Sequence, residues 1–407
     1  MKKILLAGVP RSTNLGDGLI AYTLNQLITM DRRHQVIHFD ILHGKWENKD
    51  LSFPNKRTVV PLTTNDNEIN STQTLKLNSY GLSKKLTPNA FRRIKSYWLH
   101  MRKNNSINPQ LRKAVSEADA VFIGGGHLLI DTYWTFPLAV RRIAVEAKRQ
   151  KKPIHLIFVG ARGPWSVLGK RWMLEVCRNA ETIAVRDEDS RRFLVGMDRM
   201  LEQKTVALSD PALFTMETFD FRDRERSKRR IVGLGVMDPN EMNRHCKLRW
   251  EREECALWWR NLAFDLIENG CDVRIFTNGA NTDNAFVEKY LKPQIANHRN
   301  IMFLAYPSSV NQLVGSIFDC DVVIAQRLHA CIPAISMRKP TFGLIWDRKL
   351  ENIFKDLCLE SFLIDFRQSV DEVMARVLQC SALPEESLFV IDRKKMKITE
   401  YLKGILP

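Results

Sequence analysis

The residues best suited to chemistry lie around Arg327-Leu328-His329, where the apolar run Asp321-Val-Val-Ile-Ala ends and a helical pattern, Ala330-Cys-Ile-Pro-Ala-Ile-Ser, begins. A guanidinium and an imidazole thus sit where a strand hands over to a helix. Unpaired backbone N–H groups and the helix dipole favour an anion at such a place. Arginine adds a planar fork that grips phosphate or carboxylate with two hydrogen bonds. In a core, the same pair would be satisfied by backbone carbonyls. The carboxyl end of a parallel strand is where open α/β sheets take ligands, and that favours an anion site. Pro340-Thr-Phe-Gly-Leu-Ile-Trp-Asp-Arg-Lys349 follows closely and carries a further cation past a second strand.

Four other constellations fall at expected strand ends. Asn14-Leu-Gly16-Asp17 stands between a strand and a helix. Asn14 or Asp17 can cap that helix, or Asp17 can meet a substrate hydroxyl. Gly124-Gly125-Gly126-His127 directly follows Ala120-Val-Phe-Ile, and a glycine run lets backbone approach a ligand closely. It is neither G-x-G-x-x-G nor a P-loop, so neither a dinucleotide nor ATP is indicated. Arg186-Asp187 offers a second anion clamp or a surface ion pair. Asp210, before Pro211, can simply fix a turn.

The elements that must position these groups alternate in type along the chain. Apolar runs at 3–9, 35–39, 120–123, 154–159, 182–185 and 205–208 read as strands, with helical patterns such as 18–29 and 137–150 between them. That alternation predicts βαβ units and parallel sheet. The charged stretch 219–230 marks a domain boundary. Beyond it the pattern resumes: strands at 231–236, 272–277, 301–304, 321–325 and 341–345, with helices at 251–269, 283–291, 309–316 and from 328. A chain of 407 residues exceeds one ordinary core. The expectation is therefore two Rossmann-like αβα domains, 1–220 and 231–383, facing across a cleft. A helical tail, 384–407, would cross back onto the first domain.

Composition narrows the class. The formal net charge is +16, with nine basic and no acidic residues from Lys84 to Lys113. Phe91, Ile94, Trp98 and Met101 recur there at helical spacing among Arg92, Arg93, Lys95, Arg102 and Lys103, within a basic insertion at 64–116. That pattern suits an interfacial helix on an anionic membrane, or a stripe packed on the domain. No recognition motif accompanies the charge, so nucleic acid is not expected. No apolar run spans a bilayer, and the short apolar start lacks a cleavage site. The eight cysteines are scattered without metal-ligand spacing, which points to a reducing compartment. A cytoplasmic protein, peripheral at the inner membrane, is the expectation.

Taken together and in order, these pieces resemble the polysaccharide pyruvyl transferase family. The matching elements are Asn14-X-Gly16-Asp17, Gly124-Gly125-Gly126, Val185-Arg186-Asp187, Asp210-Pro-Ala, Arg327-Leu328-His329-Ala330 and the closing Trp346-Asp-Arg-Lys349. Trp346 stands where the family usually has tyrosine; 64–116 and the tail after about 355 lie outside the match. The resemblance implies an architecture similar to B-type glycosyltransferases. It also implies transfer of a pyruvyl group from phosphoenolpyruvate to a sugar of a surface polysaccharide or its lipid-linked precursor, giving a cyclic ketal and phosphate. The family's donor-binding arginine and Arg-Leu-His fall on Arg186 and on Arg327, Leu328 and His329, placing the donor on the second domain and the acceptor on the first.

The residue types suit that chemistry. Phosphoenolpyruvate carries a carboxylate and a phosphate and so calls for separated cations. His329 would supply or relay protons. Lys349 and Arg327 would stabilise the departing phosphate, and Asp17 would orient or deprotonate the acceptor hydroxyl. Asn14, Gly16, the glycine run and Asp210 complete the expected substrate contacts. Neither metal nor cofactor is required. The rival reading is a B-type glycosyltransferase using a nucleotide sugar, but no glutamate stands between Arg327 and Lys349 to clamp a ribose.

Overall fold

The structure, a computed structural model, describes residues 1–12, 14–45, 58–59, 89–132, 134–221, 228–243, 249–295 and 298–407. The first half runs β1 (Lys2–Gly8), α1 (Leu15–Thr29), β2 (His34–Asp40), β3 (Gly44–Lys45), α2 (Asn89–Glu117), β4 (Ala120–Ile130), α3 (Thr135–Arg149), β5 (Ile154–Arg162), α4 (Val167–Asn179), β6 (Thr182–Val185), α5 (Glu188–Met197) and β7 (Thr205–Ala207). The second runs β8 (Arg230–Gly235), α6 (Arg252–Glu268), β9 (Cys271–Phe276), β10 (Ile301–Phe303), α7 (Val310–Phe318), β11 (Val322–Ala325), α8 (Leu328–Ser336), β12 (Thr341–Ile345), α9 (Arg348–Asp356), β13 (Leu363–Asp365), α10 (Val370–Gln379) and α11 (Glu385–Ile405).

These strands form two sheets, ordered β3-β2-β1-β4-β5-β6-β7 and β10-β9-β8-β11-β12-β13, and residues 58–59 pair separately with 220–221. Every pairing in them is parallel except β2 with β3. Chain direction across each sheet reverses beside its first strand, between β1 and β4 and between β8 and β11. Those are the topological switch points, where such sheets open a crevice at their carboxyl ends. Asn14–Asp17 follows β1, and Arg327–His329 follows β11, so both motifs reach the crevice by topology alone.

The domains share core as well as a cleft. Leu19 and Tyr22 of α1, with Leu213 and Phe219, are buried in the same apolar cluster as Val314 of α7 and Ile332 of α8. Ser336 ties α8 to the 211–214 turn, donating to Leu213 O (2.7 Å) and accepting from Met216 N (3.0 Å). At the other end of the chain, α11 buries Ile398 and Leu402 against Ile4, Leu6 and Phe158 of the first sheet. Tyr401 Oη there hydrogen-bonds with Thr182 Oγ1 (2.7 Å).

The glycine run departs from expectation. It is not a loop after a strand ending at 123, because β4 continues through it to Ile130. Register with β5 shifts just beyond, between Gly126 and Leu129, and β5 carries Phe158 at φ +51°. A Cβ on Gly124 would stand 1.8 Å from Ile157 O, and one on Gly125 would press on Ile20. Sheet packing thus uses the first two glycines, and only Gly126 borders the crevice. A bulge re-aims a strand beside an active site, and here it turns β4 past Asp17.

The basic segment 64–116 is described over part of its range. Residues 64–88, including Lys84 and Lys85, lie outside the described residues, as does the Phe91 side chain. From Asn89 the segment is one long helix, α2. Its second half buries Ile107, Leu111 and Val115 in the first domain's core. The first half exposes Ile94, Trp98 and Met101.

Candidate active site

His329 occupies the first turn of α8 with non-helical φ/ψ (−85°, 21°). It is 7% exposed, and its Nε2 lies 3.3 Å from Asp210 Oδ2. The same oxygen accepts from Arg186 Nη1 at 2.7 Å. Asp210 Oδ1 caps the turn that follows, accepting from Ala212 N at 3.0 Å. One buried carboxylate therefore fixes both the imidazole and the guanidinium. Burial alone would raise the Asp210 carboxyl, but Arg186 and then His329 hold it well below the usual carboxylate range.

Across the imidazole stands the start of α1. Asn14 caps this helix through Oδ1, which accepts from Gly16 N at 3.3 Å. A Cβ on Gly16 would lie 2.4 Å from both Cβ and Nδ1 of His329. Glycine is required here by close approach between two helix N-termini from different domains. Asp17, one residue on, has its carboxyl raised by desolvation, which outweighs the lowering influence of His329, Ser12 and Arg186. Two carboxylates flank His329, and their environments push them apart: Asp210 stays ionised, while Asp17 holds its proton to higher pH. Such divergence is how acid and base roles are divided at neutral pH.

Lys349 lies in the first turn of α9, whose cap Asp347 accepts from Lys349 N and Leu350 N, each at 3.0 Å. Burial lowers its ammonium to about 8; Asp347 opposes the shift, while Arg186 and Arg162 add to it. Arg186 follows β6 directly before Asp187, the cap of α5, which accepts from Ser190 N at 2.6 Å. Three cations from three strand ends thus converge without sequence proximity. Two of them, Arg162 and Lys349, line a cavity of about 420 Å3 at the first turns of α5 and α9, together with Asp187, Asp347, Phe193 and Asn352; Arg186, Asp210 and His329 are not in its wall.

Arg327 does not join this group. It makes the expected two-pronged grip on a protein carboxylate instead, with Nε 2.9 Å and Nη2 2.8 Å from the two oxygens of Asp283. Asp283 is fully buried and needs a cation to remain charged. It also accepts from Asp238 N at 3.1 Å, and Asp238 holds Arg252. Leu328 packs against the second domain's core, and Trp346 Nε1 donates to Gln326 O. Sequence reading gave no weight to Arg162, Phe193 or Asn352. Arg162 had one legible sign, its place after an apolar run; the others had none. Among the described residues no cluster of His, Cys, Asp or Glu could hold a metal ion.

The architecture has clear counterparts among solved structures. A UDP-GlcNAc 2-epimerase from Methanocaldococcus jannaschii superposes with a TM-score of 0.57 at 11% identity, covering 98% of this chain and 100% of the other. The Neisseria meningitidis UDP-GlcNAc 2-epimerase bound to UDP-GlcNAc gives 0.56 at 11%, with 99% and 100% covered. A trehalose-6-phosphate synthase gives 0.53 at 10%, with 100% and 99% covered. At such identities the likeness concerns the fold, which is that of B-type glycosyltransferases. No curated relative matches the chain in sequence. The family model for polysaccharide pyruvyl transferase matches residues 14–348, and the chain belongs to that family. It is a transferase, and the matched span holds Asp17, Arg162, Arg186, Asp210 and His329, with Lys349 one residue beyond it.

Proposed function

We propose that this protein transfers the pyruvyl group of phosphoenolpyruvate to two hydroxyls of a sugar in a surface polysaccharide or its lipid-linked precursor. The observation that carries this reading is the convergence of Arg186, Lys349 and Arg162 near Asp17 and the His329–Asp210 pair, with Lys349 and Arg162 lining a cavity between the domains. A donor with a carboxylate and a phosphate needs such separated cations. A proton delivered to the methylene carbon leaves an oxocarbenium-like C2. One sugar hydroxyl attacks it, the C2–O(phosphate) bond breaks, and the second hydroxyl closes the ketal. Of the two hydroxyl protons, one is in net terms on the new methyl group and the other leaves with phosphate. His329, buried between Asp210 and Gly16, is placed to relay protons. Asp17 serves the acceptor hydroxyl, and Lys349 stabilises the leaving phosphate. Arg327, held by Asp283, braces α8. The scheme draws on no metal or cofactor.

The test is a phosphoenolpyruvate titration across pH, with UDP as comparator. Lys349 binds an anion as the ammonium, so anion binding raises its pKa above 8. Affinity is then constant below about pH 8 and falls as pH rises through it, by about tenfold per unit until the bound-state pKa is reached. Lys349→Met should bind weakly and lose that dependence. A protein that ignores phosphoenolpyruvate and takes up UDP is a nucleotide-sugar transferase, and the proposal fails.

The acceptor's lipid linkage has its own support. No helix among the described residues is long and apolar enough to cross a membrane. The first half of α2, however, exposes Ile94, Tyr97, Trp98 and Met101, and Arg102 lies over the Trp98 ring at 4.7 Å. Apolar rings rimmed by cations match an anionic lipid surface at the cytoplasmic face of a membrane. The protein should float with vesicles containing phosphatidylglycerol and not with pure phosphatidylcholine, and Trp98→Glu should abolish flotation. Equal behaviour on both vesicle types would end the idea.

A further inference from the structure

We propose that the outer half of the α5–α9 cavity is the acceptor-sugar subsite, with Phe193 as the platform under one face of a pyranose ring. The assignment deepens the pyruvyl-transfer reading and rests on it for the identity of the second substrate.

The cavity is chemically two-sided. Lys349 and Arg162 lie in its wall, with Arg186 near Lys349, and suit a small anion. Moving outward along α5, Asp189 and Phe193 are four residues apart and share a face. On α9, Arg348 and Asn352 have the same spacing. Asn352 Nδ2 donates to Asp189 Oδ2 at 2.6 Å, joining the two domains across the cavity's rim. Phe193 is fixed from behind. Its ring meets Trp165 edge to face, with centroids 4.9 Å apart and planes at 85°. Trp165 is itself anchored by Nε1, which donates to Leu129 O (3.2 Å) and Arg162 O (3.0 Å). A Cβ on Gly163 would come within 2.6 Å of Phe193 Cε2, so the backbone beneath the ring is bare by necessity.

A three-carbon phosphoester has no use for this half. A pyranose does: its C–H face is apolar and lies on an aromatic ring at low entropic cost, while its hydroxyls both donate and accept. Asp189 and Asn352 supply an acceptor and an amide at the ring's edge, the small set of placed polar groups that gives a mostly apolar pocket its specificity. The sugar would lie between the domains, its hydroxyls directed inward toward Asp17 and His329.

Saturation-transfer NMR with methyl β-D-glucopyranoside, galactopyranoside and mannopyranoside tests this directly on the full chain. At least one should bind wild type, with transfer concentrated on protons of one ring face. Phe193→Ala should weaken binding at least tenfold, Phe193→Tyr should stay within threefold, and Asn352→Ala, which leaves the ring packing intact, should weaken it three- to tenfold. Phosphoenolpyruvate affinity should be unchanged in all three. The proposal is overturned if no pyranoside binds wild type, if Phe193→Ala and Asn352→Ala bind as wild type does, or if UDP occupies the same site in a Phe193-dependent way. A protein that binds pyranosides through Phe193 but not phosphoenolpyruvate would sink the pyruvyl-transfer reading and leave this subsite standing.

Discussion

Replacing Arg186 by methionine should abolish phosphoenolpyruvate binding and also destabilise the protein by about 3–5 kcal/mol. The two losses have different causes. Arg186 and Asp210 are 8% and 3% exposed at their side chains, so removing the guanidinium strands a buried carboxylate. That carboxylate can then be neutralised only by taking up a proton or by drawing His329 further toward it. The double variant Arg186→Met/Asp210→Leu removes both charges and should recover most of the stability, because a matched apolar pair is often as stable as the ion pair it replaces. It should recover none of the donor binding. Thermal or denaturant unfolding of the single and double variants, beside phosphoenolpyruvate titrations, reads both quantities. If the single variant is as stable as wild type, the ion pair is not a buried one. If the double variant binds donor normally, Arg186 is a structural residue and the cation site lies elsewhere.

Gly16→Ala should cost at least about a hundredfold in turnover while leaving donor affinity within a few-fold of wild type. Alanine is the better helix former by about 1 kcal/mol, so propensity alone predicts a gain. The geometry predicts the reverse, because the new methyl would stand 2.4 Å from two atoms of the His329 side chain. Either α1 moves or the imidazole does. Overpacking of this kind costs about 1–3 kcal/mol, and displacement of a catalytic group by about 1 Å can cost a hundredfold. Asp17, on the same turn, would shift with the helix. Phosphate release under saturating donor, with unfolding followed in parallel, separates the outcomes. Turnover within threefold of wild type would mean His329 need not hold the position seen here.

How much of this was legible beforehand depended on what each feature is made of. Strands such as 182–185 and 341–345 were read to the residue, since buried parallel strands are continuous apolar runs bounded by polar turns. β13 (Leu363–Asp365) was missed. Asn14, Arg186, Asp210, His329 and Lys349 were picked out correctly as strand-end groups, since their place in the alternation implied the crevice. Their partnerships were not readable. Arg327 and Arg186 look alike in sequence, each an arginine just after an apolar strand. Their carboxylate partners, Asp283 and Asp210, lie 44 and 24 residues away. The glycine run was read as a loop, whereas β4 continues through it, and the bare backbone at Gly124 is required by Ile157 on the neighbouring strand. Phe193 is one aromatic among many until Gly163 and Trp165 are seen behind it.

The sharing of α1 between the two domains also sets a timetable for biosynthesis. Leu19 and Tyr22 are made early, yet the α7 and α8 residues that cover them lie some 300 positions later. At about 5–20 residues per second, roughly 15–60 s pass before those partners leave the ribosome. Through that interval Leu19 and Tyr22, on the helix bearing Gly16 and Asp17, lack their partners from the second domain. The first domain therefore cannot mature as a separate unit ahead of the second. The motifs at 14–17 and 327–329 come together only in the last stage of folding, and a nascent chain halted between the domains would present an adhesive helix without its partner.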